Sequence, residues 1–292
     1  MNANDDITAA HFFAGVLGLA LVRQWYIDGA FNAARIAELT GVLDRLGEFP
    51  FSLQLNPEER TLLDGYAQWA ADYDGPNPLI EAEEPVVRPL LAAHAGPGIR
   101  ALDAACGTAR HAAFLAELGC ETVGVDQSQH MLEIAKAKVP SARFEHATLN
   151  ELPFSDATFD LAVCSLALCH LADPAHALVE LARVLRSGGV LVISDPHPEM
   201  AISGGQAFYG GIHPGRPMTW VRNHSHHAST WLRGFRAANL AVTDCLEPVA
   251  TEAQIQTHPV SAFYPDAARG AIENLPSMWI WSLTKTENNE GS

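Results

Sequence analysis

Two aspartates carry the clearest chemical signal in this chain. Asp103 and Asp126 each close a short apolar run, and they lie 23 residues apart. That separation suits neighbouring strands of a βαβ unit, in which an acidic residue ending the second strand accepts both hydroxyls of a ribose. Between them runs Ala105-Cys106-Gly107-Thr108-Ala109-Arg110, a stretch of small residues where backbone can approach a ligand closely. A dinucleotide site requires GxGxxG to seat pyrophosphate on a helix N-terminus, and only Gly107 of that pattern is present. Two carboxylates so close together suit a ligand without phosphates, one that joins a nucleoside to a cationic end.

Histidines supply the second signal. His170 follows the fourth apolar run and His197 the fifth. A neutral imidazole at such a position can remove a proton from a hydroxyl or amine. The segment after the fifth run holds Tyr209, His213, Trp220, His224 and His226 among several glycines, a composition suited to a lid over a flat or apolar substrate. Taken singly, each of these histidines is as well explained by packing or solvent. No carboxylate or cysteine is spaced to complete a metal set around His224 and His226, so no metal is expected.

The elements that must position these residues follow from periodicity. Short apolar runs predict strands at 100–104, 122–126, 142–146, 161–165, 190–194, 240–246 and 278–284. Helical patterns intervene at 111–118, 129–138, 174–185 and 230–238, with Asp173-Pro174 opening the third and Ser187-Gly188-Gly189 closing it. Alternating strands and helices mean an α/β, doubly wound, mostly parallel seven-stranded sheet. The last two strands lack a clear helix between them, which predicts a terminal hairpin with an antiparallel edge. Residues 1–78, ending at the Gly75-Pro76-Asn77-Pro78 joint, read as an N-terminal helical cap. Asn56-Pro57 starts one of its helices, and Tyr66, Trp69 and Tyr73 recur on one face. Residues 79–292 form the ligand-binding α/β domain, with the lid at 195–227.

Composition narrows the partners. Of 292 residues, 48% are apolar and 18% charged, enough for a sizeable core, and the net charge of −16 disfavours nucleic acid and anionic membranes. The Phe12–Val22 apolar run is too short for a bilayer and follows acidic rather than basic residues. It reads as a buried helix of a cytoplasmic protein, packed inside the chain or against a second copy in a homodimer. Five cysteines without a CxxC pair fit a reducing compartment.

Residues 99–197 resemble the class I S-adenosylmethionine-dependent methyltransferases that act on small molecules. The resemblance rests on Leu102-Asp103-Ala104-Ala105-Cys106-Gly107-Thr108-Ala109-Arg110-His111, Gly124-Val125-Asp126-Gln127-Ser128 with Met131-Leu132, Leu152-Pro153-Phe154, Phe159-Asp160-Leu161 and Arg183-Val184-Leu185-Arg186-Ser187-Gly188-Gly189, in that order. Residues 66–90 are similar to the entry helix of actinobacterial members. The resemblance implies S-adenosylmethionine as cofactor and a small-molecule methyl acceptor. It places Asp103, Ala105 and Gly107 at the methionine and ribose end, and Asp126 on the ribose hydroxyls. Gln127 and Met131 would pack on the adenine, and Thr148 and Leu149 would meet its edge. Ser165 and Leu166 would face the transferring methyl, with Tyr73 reaching the methionine end.

Two positions depart from the family. Thr148 replaces an aspartate, and Ala109 replaces the last glycine of the first loop, narrowing the room for a ligand. The expected reaction is methyl transfer to O or N of an aromatic or apolar metabolite in natural-product biosynthesis, with His197 or His170 as base. The alternative is a cyclisation or rearrangement in which the cofactor plays a structural part.

Overall fold

The computed structural model describes residues 6–202, 204–209 and 218–287. They sort into two compact units that are each discontinuous in sequence.

The larger unit comprises Thr61–Pro198, Asn223–Pro248 and Ser277–Ser292. It holds helices α1 (Leu62–Trp69), α2 (Pro78–Ala92), α3 (Arg110–Glu117), α4 (Gln129–Lys138), α5 (Ala175–Val184) and α6 (Ala228–Ala237). Its strands are β1 (Arg100–Ala104), β2 (Glu121–Asp126), β3 (Arg143–His146), β4 (Phe159–Ser165), β5 (Leu185–Pro196), β6 (Leu240–Leu246) and β7 (Met278–Lys285). They form one seven-stranded sheet in the order β3-β2-β1-β4-β5-β7-β6. All pairs are parallel except those of β7, which runs antiparallel to both β5 and β6. The α/β, mostly parallel reading is what the sheet shows. The chain winds to one side of β1 through β2 and β3 and returns to its other side with β4. That reversal opens a crevice beyond the carboxyl ends of β1 and β4, where ligands of such sheets bind.

Both faces of the sheet are covered, which is why its central strands are almost wholly apolar. On one face Leu178, Leu181, Trp231, Phe235 and Trp281 pack against Leu102, Ala162 and Leu191. On the other, Val87 and Leu91 of α2 join Leu115, Val163, Val192 and Ile280. Helices α5 and α6 approach so closely that a Cβ on Gly234 would lie 2.5 Å from Leu178 Cδ1.

Several local readings change. No helix starts at Asn56-Pro57: the Asn56 carboxamide accepts the Ile7 N–H at 2.8 Å, and Glu58–Arg60 is extended. Helix α1 begins instead behind Thr61, whose hydroxyl oxygen accepts the Asp64 N–H at 3.2 Å. Helix α5 stops at Val184, and Ser187-Gly188-Gly189 lies within β5, because Leu185 already pairs with Phe159. β6 and β7 pair antiparallel but are no hairpin. Helices Glu252–Thr257 and Pro265–Ile272 separate them, announced by a Thr251–Gln254 capping box and by Pro265 at a helix start.

The smaller unit is Met1–Arg60, Glu199–Arg222 and Val249–Pro276, so residues 61–78 sort with the sheet rather than with the chain before them. Helix Ala9–Gln24 buries a stripe of Phe13, Val16, Leu17 and Ala20 against Val42, Phe51, Ala267, Ala268 and Ala271. The apolar run is therefore buried on one side only, and Val22 is exposed. Ala207–Tyr209, Thr219–Val221 and Glu58–Arg60 make a small three-stranded sheet. Among the described residues no helix is long and apolar enough to cross a membrane.

One surface turn of the larger unit is strained. Ala157, exposed, holds φ +55°, a left-handed conformation that costs a residue bearing a Cβ about 1–2 kcal/mol. Ala157→Gly removes that cost without losing packing. It is expected to stabilise the unit by about 0.5–1 kcal/mol, read as a higher urea midpoint at unchanged slope. A lower midpoint would contradict the assigned turn.

Candidate active site

The crevice beyond β1 and β4 is a cavity with about 840 Å3 of empty space, its solvent-open mouth included. Ala105 and Gly107 line it after β1, Asp126, Gln127 and Ser128 after β2, and Ser165, Leu166 and Ala167 after β4. Met131 of α4 and the loop Ala147-Thr148-Leu149-Asn150 close one side, and Leu62, Leu63, Tyr66, Tyr73, His170 and Leu171 the other. The turns at the strand ends are tight. Ala105 (φ +58°), Gly107 (+52°) and Leu166 (+54°) all adopt left-handed backbone, a conformation that costs a residue with a Cβ and is maintained at sites under functional constraint. The Tyr73 ring packs beside Gly107, 3.7 Å from where a Cβ would be, an ordinary van der Waals distance.

Asp126 organises one end. Its Oδ2 accepts the Gly107 N–H at 2.8 Å and its Oδ1 the Ser128 N–H at 2.7 Å, so one carboxylate joins the β1 turn to the start of α4. Ser128 itself caps α4 through its hydroxyl. Burial raises the Asp126 pKa, an effect those backbone hydrogen bonds counter. The other aspartate does something different. Asp103 is buried and does not line the cavity; its Oδ2 accepts the Ala112 N–H at 2.7 Å, in the first turn of α3. That bond holds the start of the helix that follows the ligand loop.

The other residues singled out in the sequence divide sharply. Ala105, Gly107, Asp126, Gln127, Met131, Thr148, Leu149, Ser165, Leu166, Tyr73 and His170 all meet at the cavity. His170 Nε2 lies 2.7 Å from the Tyr66 hydroxyl, with the rings edge to face. His197 is not brought there: its Nε2 lies 3.0 Å from Glu247 Oε1 and its ring packs on Trp279. His226 is buried edge-on to Trp231 with Nε2 3.2 Å from the Leu168 carbonyl. His224 donates its backbone N–H to Cys169, and neither histidine lines the cavity. Tyr209 and Trp220 lie on the small three-stranded sheet of the other unit and are not among the lining residues. His213 lies outside the described residues. Of the 195–227 segment, Glu199–Arg222 sorts with the smaller unit and the residues on either side with the larger.

A family model described as a methyltransferase domain matches residues 102–193. Over those residues the sheet unit resembles a class I methyltransferase domain. A demethylmenaquinone methyltransferase from Bacillus cereus is 38% identical over 113 residues, covering 36% of this chain and 48% of that protein. The chain spans less than half the length of curated relatives it matches. Among solved structures, an S-adenosylmethionine-dependent methyltransferase from Mesorhizobium loti shares the fold with a TM-score of 0.54 and 24% identity, covering 70% of this chain and 99% of that one. A [4+2]-cyclase shares it with a TM-score of 0.51 and 23% identity, covering 68% and 80%.

The methyltransferase domain fits S-adenosylmethionine, the group its fold implies. The Asp126 carboxylate faces the cavity with lone pairs beyond those its backbone partners use. Met131 and Leu149 offer apolar surface to a flat ring, and the bare backbone at Gly107 offers close approach. The Thr148 departure stands at the cavity wall as a neutral hydroxyl. Ala109 behaves otherwise than expected. It is fully buried and off the cavity, so it does not narrow the ligand's room; its left-handed backbone (φ +68°) is what glycine would ordinarily supply. Leu62 shares the helical spacing of Tyr66 and Tyr73, but sequence reasoning missed the rest of the apolar rim, Leu63 and Leu171, which no periodic pattern marks.

Proposed function

We propose that the domain transfers the methyl group of S-adenosylmethionine to an oxygen or nitrogen of a small, flat, largely apolar metabolite, as in the tailoring of natural products. The observation that carries this is the Tyr66–His170 pair, a 2.7 Å contact at the cavity wall beside Leu62, Leu63 and Leu171. The match to demethylmenaquinone methyltransferases is in keeping with an apolar acceptor.

In this reading the bound cofactor supplies a methyl group already activated on a sulfonium. Asp126 takes the ribose hydroxyls, with Gln127, Met131, Thr148 and Leu149 around the adenine. Ala105, Gly107, Tyr73, Ser165 and Leu166 bound the methionine end. What remains for the protein is alignment of the acceptor and exclusion of water, and the leucine rim serves both. Burial pushes the Tyr66 phenol well above its ordinary pKa, so it stays protonated and orients the His170 ring. A hydroxyl or amine acceptor that replaces Tyr66 beside Nε2 gives its proton to His170 as the methyl arrives.

The test is incubation with S-adenosylmethionine and a panel of phenols and aromatic amines, read by mass spectrometry. A product one methyl group heavier, with S-adenosylhomocysteine formed in equal amount, is expected. His170→Ala is expected to lower turnover on a hydroxyl acceptor by about a hundredfold while leaving S-adenosylhomocysteine affinity unchanged. Unchanged turnover would remove His170 from the mechanism. Intact cofactor with a product of unaltered mass would replace methyl transfer by a rearrangement.

A further inference from the structure

Helix α2 carries a carboxylate where its sequence pattern calls for an apolar side chain. Glu83, Val87 and Leu91 share one helix face, all three have no exposed surface, and Val87 and Leu91 pack in the core beside the sheet. Glu83 Oε1 is met by Ser165 Oγ at 2.6 Å, Ser194 Oγ at 2.8 Å and His111 Nε2 at 3.0 Å, while Oε2 is ion-paired to Arg110. Burial alone would push its pKa up; the facing His111 and Arg110, with the hydrogen bonds from His111 and Ser165, hold it well below the usual carboxylate range. One ionised group thus joins the ends of β4 and β5 to the first turn of α3.

Serine, histidine and glutamate in mutual contact are the residue types of a hydrolytic triad, but the geometry excludes that reading. A triad places the hydroxyl on one ring nitrogen and the carboxylate on the other. Here Ser165 Oγ (3.0 Å) and Glu83 Oε1 both approach Nε2 of His111, and Nδ1 is buried without a hydrogen-bond partner. Such an arrangement cannot relay a proton through the ring. It can fix positions, because a carboxylate accepts from several donors at once and so stops both hydroxyl rotors.

What it fixes lies at the cavity. Ser165 and Leu166 line it, Leu166 is held at φ +54°, and the Leu166 N–H donates to the Ser194 carbonyl at 2.7 Å. Ser194 lies behind this turn, fully buried and off the cavity. We propose that Glu83 is a positioning residue for the cofactor: through Ser165 and Ser194 it holds the strained Ser165–Leu166 turn in the form that receives the methionine end. The proposal rests on the reading of the cavity as a S-adenosylmethionine site.

The test is calorimetric titration of the full chain with S-adenosylhomocysteine. Ser194→Ala removes one arm of the clamp without touching the cavity wall, and it is expected to weaken binding about tenfold in protein whose circular dichroism and thermal melt show it folded. Glu83→Gln is expected to weaken it further; should it fail to fold, Ser194→Ala decides. A purely structural role would lower the melting temperature and leave the affinity of the folded protein unchanged. Wild-type affinity in folded Ser194→Ala therefore overturns the clamp while the cofactor reading stands. No binding by the wild type sinks both.

Discussion

Asp126→Ala is expected to reduce affinity for S-adenosylhomocysteine at least a hundredfold. The carboxylate lines the cavity, and on the proposed reading two charge-assisted hydrogen bonds to ribose hydroxyls account for that loss. It also anchors the Gly107 N–H and the Ser128 N–H, so part of the loss comes from a loosened loop. A double-mutant cycle separates the two contributions. Replacing the nucleoside by its 2′-deoxy analogue should cost the wild type about tenfold and the Asp126→Ala variant almost nothing. Equal losses in both proteins would show that Asp126 does not contact the sugar.

The second large effect concerns stability and pH. Asp195, at the end of β5, is 2% exposed, and neither of its oxygens has a well-formed hydrogen-bond partner. Burial pushes its pKa up to about 7, with the nearby Cys169 thiol and the Cys169 and Ala167 N–H groups only partly countering this. The ordinary value is 3.8. Between those two pH values the unfolded chain has released this proton and the folded chain still holds it. Stability therefore falls as pH rises from about 4 to about 7, by up to roughly 4 kcal/mol, and the loss is complete above 7. Glu83 acts with the opposite sign: its depressed pKa contributes stability above the usual glutamate range that is lost in acid. Asp195→Asn should remove the first effect alone. The variant and the wild type should unfold alike near pH 4, and the variant should be the more stable near pH 8. Urea titrations at a series of pH values measure this, and parallel curves for the two proteins would refute it.

Much of the architecture is local in origin and so readable in order along the chain. Helix α4 runs over Gln129–Lys138 as expected, because Ser128 supplies its cap and Met131, Leu132 and Ala135 its buried face within ten residues. The strands ending at Asp126 and Ser165 are apolar runs bounded by polar or small residues, and their ends bring the same residues to the cavity that the motifs indicated. A local signal fails where a distant partner claims the same side chain. Asn56-Pro57 has the residue types of a helix start, yet the Asn56 side chain is taken by Ile7, 49 residues earlier.

By itself the sequence determined the alternation of strands and helices, the order of the ligand-binding turns and the acidic residue at the tip of β2, since caps and apolar periodicity act over a few residues. Only the tertiary structure decided which histidine meets the cavity. His170 and His197 both follow sheet strands, but one faces Tyr66 across 104 residues of chain and the other turns to Glu247. It also decided that Glu83 is a buried hub, that Asp103 caps a helix, and that 195–227 is shared between two units. Each of those outcomes depends on which surfaces of distant elements pack together, and a side chain's partner across such a distance leaves no periodic trace in the chain.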